Sequence, residues 1–168
     1  MYGGLDCHHG AMPDDRGATP VAFRRCDPAV PPASDLIAAI LAEYDEIAGR
    51  ALSGGPSATP ADFSPPGGAY LVGFAESGEA ACGGGIKALG DGVAEVKRFY
   101  VAPAFRGQGL ARALLQALED EARRLGHRTL RLDATTPTWP MYLSAGYREV
   151  ADYNGNPHAT VWGEKDLS

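Results

Sequence analysis

Two glycines separated by one residue stand between a strand-like stretch and a helical pattern, in the segment Arg106-Gly107-Gln108-Gly109. Glycine permits a positive φ and lets another molecule approach the backbone closely. Amides at the start of a helix converge on one spot, so with the helix dipole they can bind an anion such as a pyrophosphate without a lysine. The Arg106 guanidinium could add two hydrogen bonds to a phosphate. An ordinary tight turn before a helix is the alternative, and the glycine spacing alone leaves both open.

Two better-known anion motifs are excluded by their spacing. The pattern GxxxxGK[ST] occurs nowhere in the chain, which excludes a Walker-type nucleotide loop. A dinucleotide-binding loop needs a third glycine at position 112, where this sequence has Arg112. Its strand also begins the domain, whereas here at least two other strand patterns come first.

The elements that must position this loop form an α/β pattern. Alternating segments separated by turn signals predict an antiparallel meander over 69–74, 80–89 and 93–101. Leucines at helical spacing predict a helix from Leu110 to the stop signal Gly126, and a strand over 129–133 follows. Strand, helix and strand in that order indicate a parallel crossover, and therefore a βαβ unit. The last predicted elements are a short helix over 140–145 and a hairpin that pairs 147–153 with 158–164.

The N-terminal part of the 168-residue chain is less regular. Residues 1–33 are rich in Gly, Pro, Asp and His without a sustained period, which predicts an irregular extension with a short strand over 21–24. A single domain over 34–168 is expected to follow. It opens with a helix capped by Ser34 or Asp35 and stopped by Gly49, and a long loop over 51–68 comes next.

Composition narrows the class of protein. The net charge is −6, which argues against a nucleic-acid partner and is compatible with a small cationic ligand. No apolar run approaches the roughly 18 residues of a membrane span, and no signal peptide is recognisable, so a cytoplasmic protein without a membrane partner is expected. Three cysteines without paired spacing indicate free thiols. Cys7-His8-His9 could in principle bind a metal, but a fourth ligand is missing and no metal is expected.

Two motifs at the right distance resemble the GNAT superfamily of acetyl-CoA-dependent N-acetyltransferases. Residues 106–111 resemble its [Q/R]-x-x-G-x-[G/A] signature, residues 95–101 look like its fourth strand, and residues 141–147 resemble its LYxxxGF/Y segment. The likeness extends over about 34–165 in element order. It implies a mixed, mostly antiparallel central sheet with flanking helices and a βαβ unit that binds acetyl-CoA.

The resemblance also implies roles for individual residues. The backbone of Phe99, Tyr100 and Val101 would pair with the pantetheine arm of acetyl-CoA. The amides that would hold its pyrophosphate are those of Arg106, Gly107, Gln108, Gly109, Leu110 and Ala111. A substrate amine would then attack the acetyl group directly in a ternary complex, so Cys82 is not needed as a nucleophile and is expected to be a small buried strand residue.

Direct attack needs a base for the ammonium and an acid for the leaving thiolate. Glu95 is the candidate base, since it stands at the offset where the histone-acetylating branch of this superfamily has its glutamate. Partial burial is expected to raise the pKa of Glu95, and the alternative is a strand-edge carboxylate paired with Lys97 or Arg98. Tyr142 is the candidate acid, with a core-packing tyrosine as the alternative. The asparagine that the family usually has before this helix is missing from 133–140, which weakens that assignment.

The acceptor side is less well marked. A small molecule with a primary amine is expected, and the binding candidates are Tyr44 on the first helix and Asn154, Asn156 and His158 in the hairpin, although these last three also fit simple turn chemistry. Two other functions stay open: a non-catalytic module that binds CoA or acyl-CoA, and a transferase that uses another acyl donor. The sequence also leaves a homodimer open.

Overall fold

A seven-stranded sheet organises residues 19–48 and 58–168, which are the residues that the computed structural model describes. Its strands are β1 (Val21–Arg25), β2 (Ala69–Ala75), β3 (Ala80–Gly90), β4 (Val93–Val101), β5 (Thr129–Ala134), β6 (Arg148–Val150) and β7 (Val161–Asp166). The order in the sheet is β1-β2-β3-β4-β5-β7-β6, and β4–β5 is the parallel pair. The expected mixed, mostly antiparallel architecture is confirmed.

In the described part of the chain, three α-helices flank the sheet: α1 (Ala33–Ala48), α2 (Leu110–Arg124) and α3 (Trp139–Ser144). Leu110, Leu114 and Leu118 recur every fourth residue of α2 and are fully buried, which is why this helix packs on the sheet. Gly126 has a φ of 88° just after its end, a conformation typical of a helix stop. The expected stop of α1 at Gly49 lies outside the described residues.

The two faces of the sheet carry separate apolar cores. On one face, α2 and α3 pack against residues of β3, β4 and β5, such as Ile86, Val96 and Leu130. On the other face, α1 packs through Leu36 and Ile40 near Tyr70 and Tyr100, together with a 3₁₀ turn over Pro60–Phe63. No helix in the described parts of the chain is long and apolar enough to cross a bilayer.

The strand β1 lies in the stretch for which the sequence predicts an irregular extension. It pairs antiparallel with β2, from Val21 opposite Ala75 to Arg25 opposite Leu71, so the sheet begins before residue 34. The short strand expected over 21–24 is therefore present, and it is one residue longer.

The C-terminal hairpin is shorter than its sequence pattern predicts. β6 contains three residues, and a ten-residue connection over 151–160 leads to β7. Side chains in this connection accept hydrogen bonds from nearby backbone amides: Asp152 from Gly155 at 2.7 Å, and Asn156 from His158 at 3.0 Å. Such local bonds compete with strand pairing, which explains why the ladder stops early.

Candidate functional site

The parallel strands β4 and β5 part from each other after three residue pairs. Val93–Glu95 pair with Thr129–Arg131. β4 then continues to Val101 and β5 to Ala134, but the two strands do not pair with each other beyond these residues. We call the space that opens between them the fork. It lies at the carboxyl ends of the two strands, where open α/β sheets place their ligands.

A bulge bends β4 beside the fork. Tyr100 lies opposite Gly83 and Lys97 opposite Gly85, so β4 has one residue more than β3 in this interval. Arg98 has a φ of 55° there, which is uncommon for a residue with a side chain. The bulge carries Phe99 and Val101 onto the α2 face of the sheet and Tyr100 onto the α1 face.

The loop that follows β4 presents unpaired amides at the start of α2. Gly107 and Gly109 have φ values of 77° and 78°, which only glycine adopts freely. Within the described part of the chain, the amides from Gly107 through Ala111 donate to no carbonyl or side chain. Free amides at a helix N-terminus can bind an anion, and we call residues 107–111 the phosphate loop after the role that the sequence predicts.

Arg106 does not point its side chain into this loop. Its guanidinium contacts Glu43 Oε1 of α1 at 2.6 Å, donates through Nε to the Val101 carbonyl at 2.9 Å, and lies over the Tyr100 ring. Its backbone amide donates to the Pro103 carbonyl at 3.3 Å. Arg106 therefore ties the end of β4 to α1, and binding of a phosphate would require it to leave that ion pair.

A buried charged cluster lies at the base of the fork. Glu95 is 3% exposed, and Lys97 Nζ lies 3.0 Å from its Oε1 and 3.3 Å from Asp133 Oδ2. Asn154 Nδ2 donates to Glu95 Oε2 at 3.1 Å and to Asp133 Oδ2 at 2.6 Å. Trp162 Nε1 in turn donates to Asn154 Oδ1 at 2.8 Å. We call Glu95, Lys97, Asp133 and Asn154 the charged cluster.

The Asp133 carboxylate is the point on which four other elements converge. Its charge raises the pKa of Tyr44 from α1, of Tyr142 from α3 and of Tyr153 from the β6–β7 connection, in each case after burial as the larger cause. It also opposes the decrease that burial causes in the pKa of Arg98. These side chains come from distant parts of the sequence and share one electrostatic environment.

Tyr142 is buried in α3 beside the end of β4. Its ring lies edge-on to Phe99, with centroids 6.2 Å apart, and to Tyr147, with centroids 6.0 Å apart. Burial, with smaller contributions from Tyr44 and Asp133, raises the pKa of Tyr142 above its usual value near 10. The hydroxyl is therefore protonated at neutral pH and can donate a hydrogen bond. Core packing and proximity to the fork are both present.

The family assignment follows from comparison of the chain with known proteins. Residues 35–147 match the model of the acetyltransferase (GNAT) family, which is more than half of the chain. The chain belongs to the GNAT acetyltransferase family.

Curated and solved relatives agree with this membership. An uncharacterised N-acetyltransferase of Schizosaccharomyces pombe is 32% identical over 59% of this chain, and the uncharacterised N-acetyltransferase YjgM of Escherichia coli is 37% identical over 44%. The matches cover 63% and 45% of those proteins, so the chain spans less than two thirds of their length.

Among solved structures, a protein of Klebsiella pneumoniae assigned as an acyl-CoA N-acyltransferase has a TM-score of 0.71 and 29% identity, over 88% of this chain and 98% of that one. The yncA protein of Salmonella typhimurium, assigned as an acetyltransferase and solved with acetyl-CoA, has a TM-score of 0.61 and 22% identity, over 89% and 95%. The second likeness concerns the fold alone.

The hairpin candidates for acceptor binding in this GNAT protein divide into two groups. Asn154 joins the charged cluster, although its Oδ1 also accepts from the Asn156 amide at 3.1 Å. The Asn156 side chain accepts from the His158 amide, which is turn chemistry, and the His158 imidazole is exposed without a hydrogen-bond partner among the described residues. Tyr44 is 37% exposed on α1, near Asp133 and Arg98.

Other residues around the fork were not predicted to be functional. These are Asp133, Lys97, Arg98 and Tyr153, of which Lys97 and Arg98 were expected only as partners that would make Glu95 structural. The Lys97–Glu95 ion pair exists, and it also includes Asp133. A usable signal was the position of Asp133 at the carboxyl end of an alternating strand, directly after the β4 crossover.

Two further expectations from the sequence are that Cys82 is not a nucleophile and that the protein binds no metal. Cys82 is fully buried on β3, and burial raises the pKa of its thiol to about 11, so the thiol is protonated at neutral pH. Among residues 19–48 and 58–168 no group of His, Cys, Asp and Glu side chains is arranged to hold a metal ion. Cys7-His8-His9 lies outside the described residues.

Proposed function

We propose that this GNAT protein transfers an acetyl group from acetyl-CoA to a primary amine of a small substrate, by direct attack in a ternary complex. One observation carries the proposal: β4 runs from the charged cluster at the base of the fork to a loop whose amides are free among the described residues. A phosphate-bearing cofactor and an amine could therefore bind on either side of one gap.

The residues around the fork fit acetyl-CoA. The free amides of residues 107–111 would bind the pyrophosphate, and the backbone of Phe99, Tyr100 and Val101, which has no strand partner toward β5, would bind the pantetheine arm. When bound, acetyl-CoA supplies an acetyl thioester, whose carbonyl carbon is open to attack by an amine. The Val101 carbonyl already accepts from Arg106, which limits the pairing at that end.

Glu95 is proposed to accept the proton that the acceptor ammonium must lose. Lys97 and Asn154 hold its two oxygens in a fixed orientation, and Asp133 adds a second carboxylate whose side chain is 17% exposed, against 4% for that of Glu95. Two carboxylates and one ammonium leave the three charged members of the cluster with a net charge of −1, which attracts a cationic substrate. Asp133, the more exposed carboxylate, would meet the incoming ammonium first.

Tyr142 is proposed to stabilise the leaving group. Its protonated hydroxyl would donate to the departing sulfur, while the amine nitrogen forms its bond to the acetyl carbon. The raised pKa keeps this donor intact well beyond neutral pH.

Release of free thiol from acetyl-CoA in the presence of a panel of primary amines tests the proposal. We expect amine-dependent release, with the acetylated amine as the second product. Binding of CoA and acetyl-CoA with equal affinity and no turnover would favour a non-catalytic acyl-CoA-binding module. A stronger thermal shift with a longer acyl-CoA would favour another donor. The cytoplasmic location, the lack of a nucleic-acid or membrane partner and the homodimer stay predictions from the sequence.

A further inference from the structure

Arg98 is a buried cation without an ion-pair partner among the residues that the structure describes. The residue is 8% exposed, and its hydrogen bond from Nη2 to the Ala58 carbonyl is long, at 3.4 Å. No carboxylate in the described part of the chain lies within 4 Å of its guanidinium. A guanidinium has five N–H donors, and the bond to Ala58 is the one that Arg98 makes to a described residue, so other donors remain for a ligand.

A buried guanidinium without an ion-pair partner is unfavourable unless a ligand binds to it. Removing a charge from water is costly unless a partner compensates it, and the positive φ of Arg98 adds backbone strain. Burial is also the largest influence on the pKa of Arg98, which it lowers. The other buried charged side chains, Glu95, Lys97, Glu119 and Glu121, all have ion-pair partners. Arg98 is the exception among the described residues.

Arg98 lies close to Glu95 and Asp133, the residues proposed to receive the acceptor amine. It stands three residues after Glu95 on β4, at the bulge where β4 and β5 have just separated. Asp133 is near enough for its charge to favour the protonated guanidinium, and Tyr44 and Tyr70 lie near it as well. The Tyr70 hydroxyl is itself buried without a hydrogen-bond partner in the described structure, so an unsatisfied polar group lies in the same region as Arg98.

We propose that Arg98 binds the carboxylate of an amino-acid acceptor whose amine is directed toward Glu95 and Asp133. This inference rests on the proposed N-acetyltransferase function and names its substrate class. A planar guanidinium matches a carboxylate through two parallel hydrogen bonds, and the net negative charged cluster matches the ammonium of the same zwitterion. A simple amine would satisfy the charged cluster and leave Arg98 unpaired.

A comparison of matched acceptors on the wild-type protein is the direct test. Each L-amino acid is offered with acetyl-CoA beside its primary amide and its decarboxylated amine, and thiol release gives kcat/KM. We expect the acid to exceed both analogues by about tenfold or more, as for loss of a charge-assisted pair. The amide has the less basic amine, so easier deprotonation would favour it, and a preference for the acid reports recognition of the carboxylate.

The failures of the two proposals differ. Equal or better turnover of the amides or decarboxylated amines would overturn the role of Arg98 and leave the N-acetyltransferase function intact. No thiol release with any amine, acid or neutral, would overturn both.

Substitution of Arg98 provides an independent readout. In Arg98→Met the acid-to-amide ratio of kcat/KM should collapse toward one, and in Arg98→Lys it should fall part of the way, since the charge stays but the planar fork of donors is lost. The melting temperature of Arg98→Met should not fall, because the substitution removes a buried charge that has no ion-pair partner among the described residues. Arg24→Met, at an exposed arginine of β1, is the matched control and should keep the wild-type ratio.

Three results would contradict this assignment. A melting temperature that drops in Arg98→Met would make Arg98 a structural residue. A weaker affinity for acetyl-CoA would assign it to the cofactor side. Parallel losses for acid and amide would show that it does not recognise the carboxylate.

Discussion

The phosphate loop and the charged cluster adjoin the same strand and are built in opposite ways. The phosphate loop consists of consecutive residues, and its proposed binding groups are backbone amides held by glycines. The charged cluster consists of side chains that lie far apart in sequence, since Lys97 meets Asp133 across 36 positions and Asn154 meets Glu95 across 59. The loop should therefore be sensitive to changes of backbone conformation, and the cluster to changes of side-chain charge.

The largest effect is expected from a change of backbone conformation in the phosphate loop. Gly109→Val forces a β-branched residue into a φ of 78° at the first position before α2, which costs about 1–3 kcal/mol and displaces the neighbouring amides. We expect affinity for acetyl-CoA to fall by about 100-fold, measured by isothermal titration calorimetry.

Gly78→Val is the matched control for this variant. Gly78 has a φ of 88° in the β2–β3 turn, and open space surrounds the position that a Cβ would occupy, so the variant has the same strain far from the phosphate loop. It should bind acetyl-CoA normally. Binding by Gly109→Val that stays within tenfold of wild type would refute the role of the loop.

The next effect tests the charge of the cluster. Glu95→Gln keeps the size of the side chain and removes the proposed base, so kcat should fall by about 10²–10³ at neutral pH while affinity for acetyl-CoA is unchanged. Asp133→Asn should cost less, about tenfold, because Asp133 is proposed only to receive the ammonium. Equal losses in both variants, from steady-state kinetics, would mean that the two carboxylates act as one unit.

A smaller effect is expected from the single hydroxyl of Tyr142. Tyr142→Phe keeps the edge-on contacts with Phe99 and Tyr147 and removes the proposed donor, so kcat should fall by about 10- to 100-fold. Because burial raises its pKa above the usual value near 10, the hydroxyl keeps its proton as pH rises, and wild-type kcat should not decline below pH 10 on account of this group.

Tyr147→Phe is the control, since Tyr147 is also buried and its hydroxyl has no hydrogen-bond partner among the described residues. It should retain wild-type kcat. A Tyr142→Phe enzyme with unchanged kcat across the pH range would leave Tyr142 as a packing residue.

The smallest effect is expected from substitution of Arg106, which directly precedes the phosphate loop in the sequence. Arg106→Gln removes the positive side chain that directly precedes the phosphate loop, yet that side chain is half-exposed and occupied by Glu43. Affinity for acetyl-CoA should change by less than about threefold, as is usual for an exposed ion pair. A loss as large as that of Gly109→Val would show that Arg106 leaves Glu43 and binds the cofactor.

The sequence predicts the phosphate loop more completely than the charged cluster. The phosphate loop, α2 and the β2–β4 meander were predictable, because glycine spacing, leucine spacing and alternation are local signals. The charged cluster was predictable only at Glu95 and Asn154. Asp133 and Arg98 become part of the site only because β5 diverges from β4, and no local sequence pattern predicts that divergence.

Side-chain direction was the other quantity that the sequence could not supply. Arg106 stands within the glycine motif, and its turn toward α1 depends on Glu43, 63 positions earlier. In the β6–β7 connection, the asparagines were recognised as turn formers, but the bridge from Asn154 to Glu95 depends on the pairing of β5 with β7. Both are contacts between elements, decided after the elements have formed.

The fork has a consequence for how the protein avoids aggregation. Beyond Glu95, β4 is an edge strand in the middle of a sheet, with hydrogen-bonding groups that have no strand beside them. Exposed edges invite pairing with other chains, which leads to misassembly. Here β3 stays paired on one side of β4 and β5 lies beyond the fork on the other, so the unpaired groups face the inside of the sheet and not its margin. The gap therefore offers backbone donors and acceptors to an extended ligand without adding a further open margin to the sheet.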